Sequence, residues 1–281
     1  SWSNLTFSVC AKKHKSPTSS ARLIGKRVIL KNVSGRCGAG ELTAVMGPSG
    51  CGKTTLMDIL ADRVCSGQLE GRIELNGVSR ETRAFRAIAR YVAQEDTLLG
   101  SFTVLETLQM AAKLSLPSKV TDAMVQDRIQ SVLDEIGLRN CMHTRVGDIF
   151  TKGISGGQKR RLSMAIELLS DPSILLLDEP TSGLDSASMF NIMKLVQKLC
   201  QEHGKTIICT IHQPSSLVCD MFTNIVILSA GETVYCGPRV DMIAHFASAG
   251  YNCPAYSNPM DYFIEVVNAD FDDHGDISAL V

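Results

Sequence analysis

The residues Gly47-Pro48-Ser49-Gly50-Cys51-Gly52-Lys53-Thr54 fit the pattern G-x-x-x-x-G-K-[ST]. The chemistry this pattern suits is the holding of a nucleotide's phosphates. Glycines let backbone N–H groups turn inward around an anion without Cβ clashes. Lys53 adds a point charge on the outer phosphates, and the hydroxyl of Thr54, with Thr55 beside it, can ligate magnesium. A helix starting here presents its N-terminus to the anion. A glycine turn without a ligand is the bland alternative. Against it stands the context, an apolar strand over residues 41–46 and an amphipathic helix over about 53–63.

A second group of polar residues ends Ile174-Leu175-Leu176-Leu177-Asp178-Glu179. Stability gives no reason for a buried apolar strand to end in two adjacent carboxylates, because desolvating them is costly. A magnesium ion supplies a reason: Asp178 can hold it through water, and Glu179 can polarise the attacking water as general base. Gln94 follows the strand at 89–93, and His212 follows Ile207-Ile208-Cys209-Thr210-Ile211. Ligands collect at the carboxyl ends of parallel strands. Gln94 is therefore expected to reach magnesium or the water, and His212 the outermost phosphate. A lone His or Gln at a strand end is usually bland; only their position relative to the other motifs argues otherwise.

These groups need a scaffold that brings distant strand ends together. Residues 5–9 and 27–33 read as strands, separated by a Lys-, Ser- and Pro-rich surface loop at 12–21. Further strands are expected at 72–75, 89–93, 173–177, 206–210 and 225–228, with a helix at about 187–201. Residues 103–170 have helical spacing throughout. Strand, helix, strand order implies an α/β fold with a mostly parallel sheet and right-handed crossovers, and the helical stretch reads as an insertion.

Composition narrows the class. The chain has 281 residues, 44% of them hydrophobic and 20% charged, with a net charge of −1. That charge gives no reason to expect nucleic acid as a partner. No apolar run approaches the roughly 18 residues a membrane span requires, and the first residues have no signal-peptide pattern. The 10 cysteines are scattered, with no CxxC pair. They read as mostly buried small hydrophobes in a reducing compartment. Cys51, inside the phosphate loop, is the one open to oxidation or alkylation at a functional position.

Ile154-Ser155-Gly156-Gly157-Gln158 resembles the signature motif of ABC ATPases, with Ile154 in place of the leucine. Ser155 is a natural N-cap for the helix that follows. Ser182-Gly183-Leu184-Asp185 resembles the family's D-loop, and the motif order matches. Nearly the whole chain is similar to the cytosolic domain of the G subfamily of ABC transporters. The similarity runs through Asp171-Pro172-Ser173-Ile174, the stretch up to Ser186, and Ile211-His212-Gln213-Pro214-Ser215. It extends to Phe246-Ala247-Ser248-Ala249-Gly250-Tyr251 and to Asn258-Pro259-Met260-Asp261-Tyr262, like the subfamily's NPxDF element with Tyr262 in place of Phe.

The resemblance implies ATP and Mg2+ as cofactors and head-to-tail dimerisation, with Ser155, Gly156, Gly157, Gln158 and Asp185 completing the partner's ATP site. It also implies a phosphate-loop ABC ATPase core with a mostly parallel central sheet, an antiparallel β subdomain and an inserted helical signature subdomain. The expected division of one nucleotide-binding domain is about 1–100 and 171–250 for the core, 101–170 for the helical part and 251–281 for the C-terminal element. Subfamily members carry six membrane helices after this domain. That implies a half-transporter at the cytoplasmic face of a membrane, with the membrane domain absent from this chain and a homo- or heterodimeric partner.

Many ABC domains stack adenine on an aromatic residue of an early strand; Phe7 and Val9 are the candidates here, and spacing does not choose. A soluble ABC ATPase of DNA repair or translation is the rival reading. It is disfavoured because only about 60 residues separate Gln94 from Ser155, too few for a long coiled coil, and no basic stripe appears. A catalytically dead domain is disfavoured by the presence of Glu179, His212 and Ser155-Gly156-Gly157-Gln158.

Overall fold

In a computed structural model, residues 1–11, 25–148 and 150–268 are described; the loop expected at 12–21 and the end of the 251–281 element lie outside them. The strand before the phosphate loop, β3 (Leu42–Met46), is buried along its whole length, as a strand covered on both faces must be. Its sheet runs in the order β10 (Glu232–Pro238), β9 (Asn224–Ser229), β3, β8 (Thr206–Thr210), β7 (Ile174–Leu177), β6 (Ala89–Val92). From β9 to β6 all neighbours are parallel, and β10 closes one edge antiparallel.

Strand periodicity of two sends alternate side chains into different cores. Leu42, Ala44, Met46, Leu175, Leu177, Ile207, Cys209, Ile225 and Ile227 face one core, where Leu108, Leu133, Leu162 and Val196 meet them. Those residues come from α3 (Val104–Ser115), α4 (Asp122–Ile136), α5 (Gly156–Leu168) and α6 (Ser186–Gln201). Val45, Leu176, Ile208, Val226 and Leu228 face the other core, with Trp2, Leu5, Phe7, Leu30, Leu56 and Met57. That side is closed by α1 (Lys53–Leu60), α2 (Thr82–Ile88) and an antiparallel sheet. The sheet's order is β2 (Gly25–Gly35), β1 (Trp2–Ala11), β4 (Gln68–Leu75), β5 (Val78–Ser79). The molecule is therefore the expected α/β architecture of parallel sheet, antiparallel sheet and helices.

Sequence periodicity misplaces some elements. The expected continuous helical stretch of 103–170 breaks into α3, α4 and α5. Gly137 adopts φ +69 at the C-cap of α4 and ends it, and Thr103 forms an isolated bridge with Arg145 instead of helix. β10 carries no clear alternation and ends in Gly237-Pro238, which is tolerated because it lies at a sheet edge. α7 (Ser216–Cys219) follows β8, and α8 (Met242–Ser248) and α9 (Pro259–Val266) follow β10. Phe246 of α8 stacks on Phe263 of α9, with ring centroids 4.1 Å apart. The cysteines correct the expectation of general burial: Cys51, Cys200, Cys209 and Cys219 are buried, whereas Cys10, Cys65 and Cys236 are exposed.

Candidate functional site

Parallel register brings the polar residues to one edge. Val45 pairs with Thr210, Cys209 with Leu177, and Leu177 with Val92. One residue beyond the last of these pairs stands Asp178, and two beyond stand Glu179 and Gln94. Gly47 and His212 leave the sheet two residues after Val45 and Thr210. Four separate strand ends thus deliver the candidates within two residues of a common level.

The phosphate loop departs from β3 at Gly47, which adopts φ +146; a Cβ there would lie 2.1 Å from the carbonyl oxygen of Leu228. Only glycine fits this crossing over β9. Pro48 is buried, Ser49 and Gly50 are exposed, and Gly52 caps α1 in a left-handed conformation. Lys53 is 7% exposed, and its Nζ donates to the carbonyls of Gly47 and Pro48, both at 2.8 Å. Its ammonium is thereby folded back over the loop instead of reaching into solvent. Thr54 is exposed and Thr55 half-buried at the start of α1. Cys51 is buried under the loop, and burial raises its thiol pKa above the ordinary range. That disfavours the thiolate needed for oxidation or alkylation.

Asp178 is 2% exposed and its carboxylate is fully engaged. Oδ1 accepts from Thr210 Oγ1 at 2.6 Å and Thr54 Oγ1 at 3.4 Å, and Oδ2 accepts from Tyr91 Oη at 3.1 Å. Glu179 is half-buried and adopts φ +43. A non-glycine residue there costs about 1–3 kcal/mol and persists only where its surroundings enforce it. Thr210 Oγ1 accepts from the Glu179 N–H at 2.7 Å, and Gln94 Nε2 donates to Glu179 Oε2 at 2.8 Å.

Thr210, Tyr91 and Arg160 were not anticipated. Arg160 was the most legible of them. It shares a helical stripe with the buried Met164 and Leu168 of α5, where a cation is out of place without partners.

The signature residues form a separate group. Ser155 caps α5 reciprocally with Gln158: Ser155 Oγ accepts from the Gln158 N–H at 3.3 Å, and Gln158 Oε1 from the Ser155 N–H at 2.8 Å. A Cβ on Gly156 would touch Leu184, and one on Gly157 would touch Ser188, both at 3.5 Å. The exposed helix start therefore lies against the loop that carries Asp185. Asp185 caps α6 through the Ser188 N–H at 2.9 Å; that bond and the Ser188 hydroxyl hold its carboxyl below the usual range. Ile154 is buried in the helical core, an anchoring task that isoleucine performs as well as leucine. His212 is exposed at the carboxyl end of β8. Phe7 is 4% exposed and its ring fills the space over Gly67. It offers no face to an adenine ring, which removes the one aromatic residue of the two stacking candidates.

The donor set suits a magnesium nucleotide. Thr54 and Asp178 supply hard oxygens close together, the ligands magnesium takes beside waters and phosphate oxygens. Gly47, Gly50 and Gly52 all hold positive φ, the turn that a loop uses to point N–H groups at an anion. This fold and site define an ATPase of the phosphate-loop class.

A family model described as ABC transporter matches residues 30–182, and the chain belongs to that family. Relatives named as G family members match most of the chain. It is 44% identical over 251 residues to ABC transporter G family member 1 of Dictyostelium discoideum, covering 88% of this chain and 31% of the relative. It is 40% identical over 245 residues to the broad substrate specificity ATP-binding cassette transporter ABCG2 of Sus scrofa, covering 87% and 37%. The chain thus spans about a third of the length of these relatives.

Among solved structures, a dimeric bacterial ABC transporter cassette superposes with a TM-score of 0.63 at 25% identity, over 84% of this chain and 98% of that one. The cbiO1 protein of Clostridium perfringens, part of an ABC transporter complex, gives 0.66 at 23% identity over 87% and 92%, a likeness of fold. A model described as ABC-2 type transporter matches residues 212–275. Among the described residues, no helix is long and apolar enough to cross a membrane.

Proposed function

We propose that this chain binds ATP with Mg2+ at the carboxyl edge of its parallel sheet and hydrolyses it in a head-to-tail dimer that drives a membrane half-transporter. The observation that carries the reading is the convergence of Lys53, Thr54, Asp178, Glu179 and Gln94 on one edge, with Glu179 bonded to Gln94 at 2.8 Å. The loop N–H groups and Lys53 hold the β- and γ-phosphates. Thr54 and Asp178 are the residues that would hold magnesium, which when bound would offset charge on the phosphate oxygens. Glu179 orients a water and takes its proton as general base. Gln94 fixes the direction of that carboxylate, and His212 donates to the γ-phosphate.

Ser155, Gly156, Gly157, Gln158 and Asp185 serve the ATP of a second nucleotide-binding domain. The exposure of Ser155, Gly156 and Asp185, and the packing of Gly156 and Gly157 against Leu184 and Ser188, supports this assignment. The core is then about 1–100 and 171–250, the helical signature part about 101–170 and the C-terminal element about 251–281. The relatives' names support transport; the resemblance to the G subfamily implies a domain at the cytoplasmic face of a membrane and the export of lipid, sterol or xenobiotic-type cargo. Comparison of Mg2+-dependent ATP turnover between the wild-type chain and Glu179→Gln tests the reading. Turnover in the wild type and its loss in the variant, with ATP binding retained, is the expected result; equal turnover in both overturns it.

A further inference from the structure

The guanidinium of Arg160, five residues after Ser155 in sequence, is 3% exposed. Its Nε donates to the Pro180 carbonyl at 3.2 Å and its Nη2 to the Asp178 carbonyl at 2.7 Å. Its Nη1 meets the carbonyls of Ala93 at 2.5 Å and Gln94 at 3.2 Å, and Asp96 Oδ1 at 3.2 Å. Every backbone acceptor adjoins a group of the hydrolytic site. Asp178 and Pro180 flank Glu179 on either side, and Ala93 and Gln94 are the two residues that follow β6. One planar cation therefore grips the ends of β6 and β7 and ties both to the helix whose first turn is the signature.

We propose that Arg160 is a positioning residue that couples the signature helix to the general-base carboxylate of its own chain. The inference rests on the composite-site reading above and adds an intrachain link that the reading does not contain. Glu179 sits at φ +43, a conformation that its surroundings must impose. Thr210 holds its N–H from one side, and Arg160 holds the carbonyls before and after it from the other. A shift of α5 when Ser155 engages a partner's nucleotide is transmitted through this fork to the backbone of Glu179. The same shift changes the alignment of Glu179 with Gln94. A lysine offers a single ammonium where the fork needs a plane of donors in fixed directions, so it cannot reproduce the link. Burying the cation against carbonyl dipoles and one partly exposed carboxylate is an expensive way to gain stability alone.

The test uses the full chain with Arg160→Lys. Asp96→Ala is added because it removes one acceptor of the guanidinium at an exposed residue and so folds even if Arg160→Lys does not. ATP affinity, KM, kcat, melting temperature and the ATP-driven dimerisation of each variant combined with Glu179→Gln are measured. The expected result is a kcat lowered about tenfold or more in Arg160→Lys and about threefold or more in Asp96→Ala. KM and ATP affinity stay within about twofold and ATP-driven dimers persist. Unchanged kcat in both variants overturns the proposal. So does a loss of kcat that follows a parallel loss of ATP affinity and melting temperature, which assigns Arg160 to stability alone. Absence of ATP turnover in the wild-type chain overturns the ATPase reading, and this inference with it.

Discussion

The carboxamide of Gln94 donates to the carboxylate of Glu179 across 2.8 Å, joining the ends of two adjacent parallel strands. A carboxylate held in one direction beside Asp178, the proposed magnesium ligand, is in position to take a proton from water. Glu179→Gln removes the basic oxygen while keeping the shape. Turnover is expected to fall by at least about a hundredfold, with ATP affinity preserved. Steady-state hydrolysis by purified variant, with contaminating ATPases excluded, checks this; near-normal rates remove Glu179 from the role.

Lys53 is the cation proposed to hold the phosphates, and its ammonium donates to the Gly47 and Pro48 carbonyls of the loop. Lys53→Ala is expected to weaken ATP binding or abolish turnover. Fluorescent-nucleotide titration alongside hydrolysis measures both. Affinity and rate matching the wild type would show the loop to be a structural glycine turn.

Tyr91 donates to Asp178 Oδ2 at 3.1 Å, so it orients the carboxylate proposed to hold magnesium. Partners of a metal ligand commonly change metal affinity about 10–100-fold when removed. Tyr91→Phe is expected to raise the Mg2+ concentration for half-maximal turnover by about threefold or more, while turnover at saturating Mg2+ recovers most of its value. An unchanged Mg2+ profile would separate Tyr91 from the metal.

Ser155 caps the exposed start of α5, which is proposed to face a partner's nucleotide. Ser155→Arg is expected to block ATP-driven dimerisation of Glu179→Gln chains, because its bulk intrudes where a partner's γ-phosphate belongs, and to leave monomer ATP binding nearly intact. A mixture of Ser155→Arg and Lys53→Ala chains forms dimers with one site damaged on both sides and one intact. Partial recovery of turnover over either variant alone supports composite sites. Failure of both dimerisation and recovery, even when the chains are tethered, overturns the head-to-tail arrangement.

Burial raises the Cys51 thiol pKa, so its reactive thiolate fraction at neutral pH is lower than that of an unshifted thiol, and it grows only as pH rises. Alkylation followed by mass spectrometry is expected to modify the exposed Cys65 and Cys236 well before Cys51. Equal labelling at neutral pH would mean that the phosphate loop opens far enough to release the thiol.

Sequence alone determined the chemistry that is contiguous. Gly47 to Thr54, Asp178-Glu179 and Ser155 to Gln158 are short strings whose spacing is set by a tight turn, a strand end and one helical turn, so each is legible without partners. The parallel sheet followed from the same local reasoning, through strand and helix alternation. Tertiary structure decided what depends on residues far apart in the chain. Tyr91 reaches Asp178 across 87 positions, and Arg160 reaches Ala93 across 67. Neither contact exists until β6, β7 and α5 meet. Phe7 looked available for a base until the second core closed over it, and β10, with no alternation of its own, became a strand because β9 offered it an edge. Periodicity reports which face of an element is apolar; which side chain a buried polar group must find there is set only when the elements pack and desolvate it.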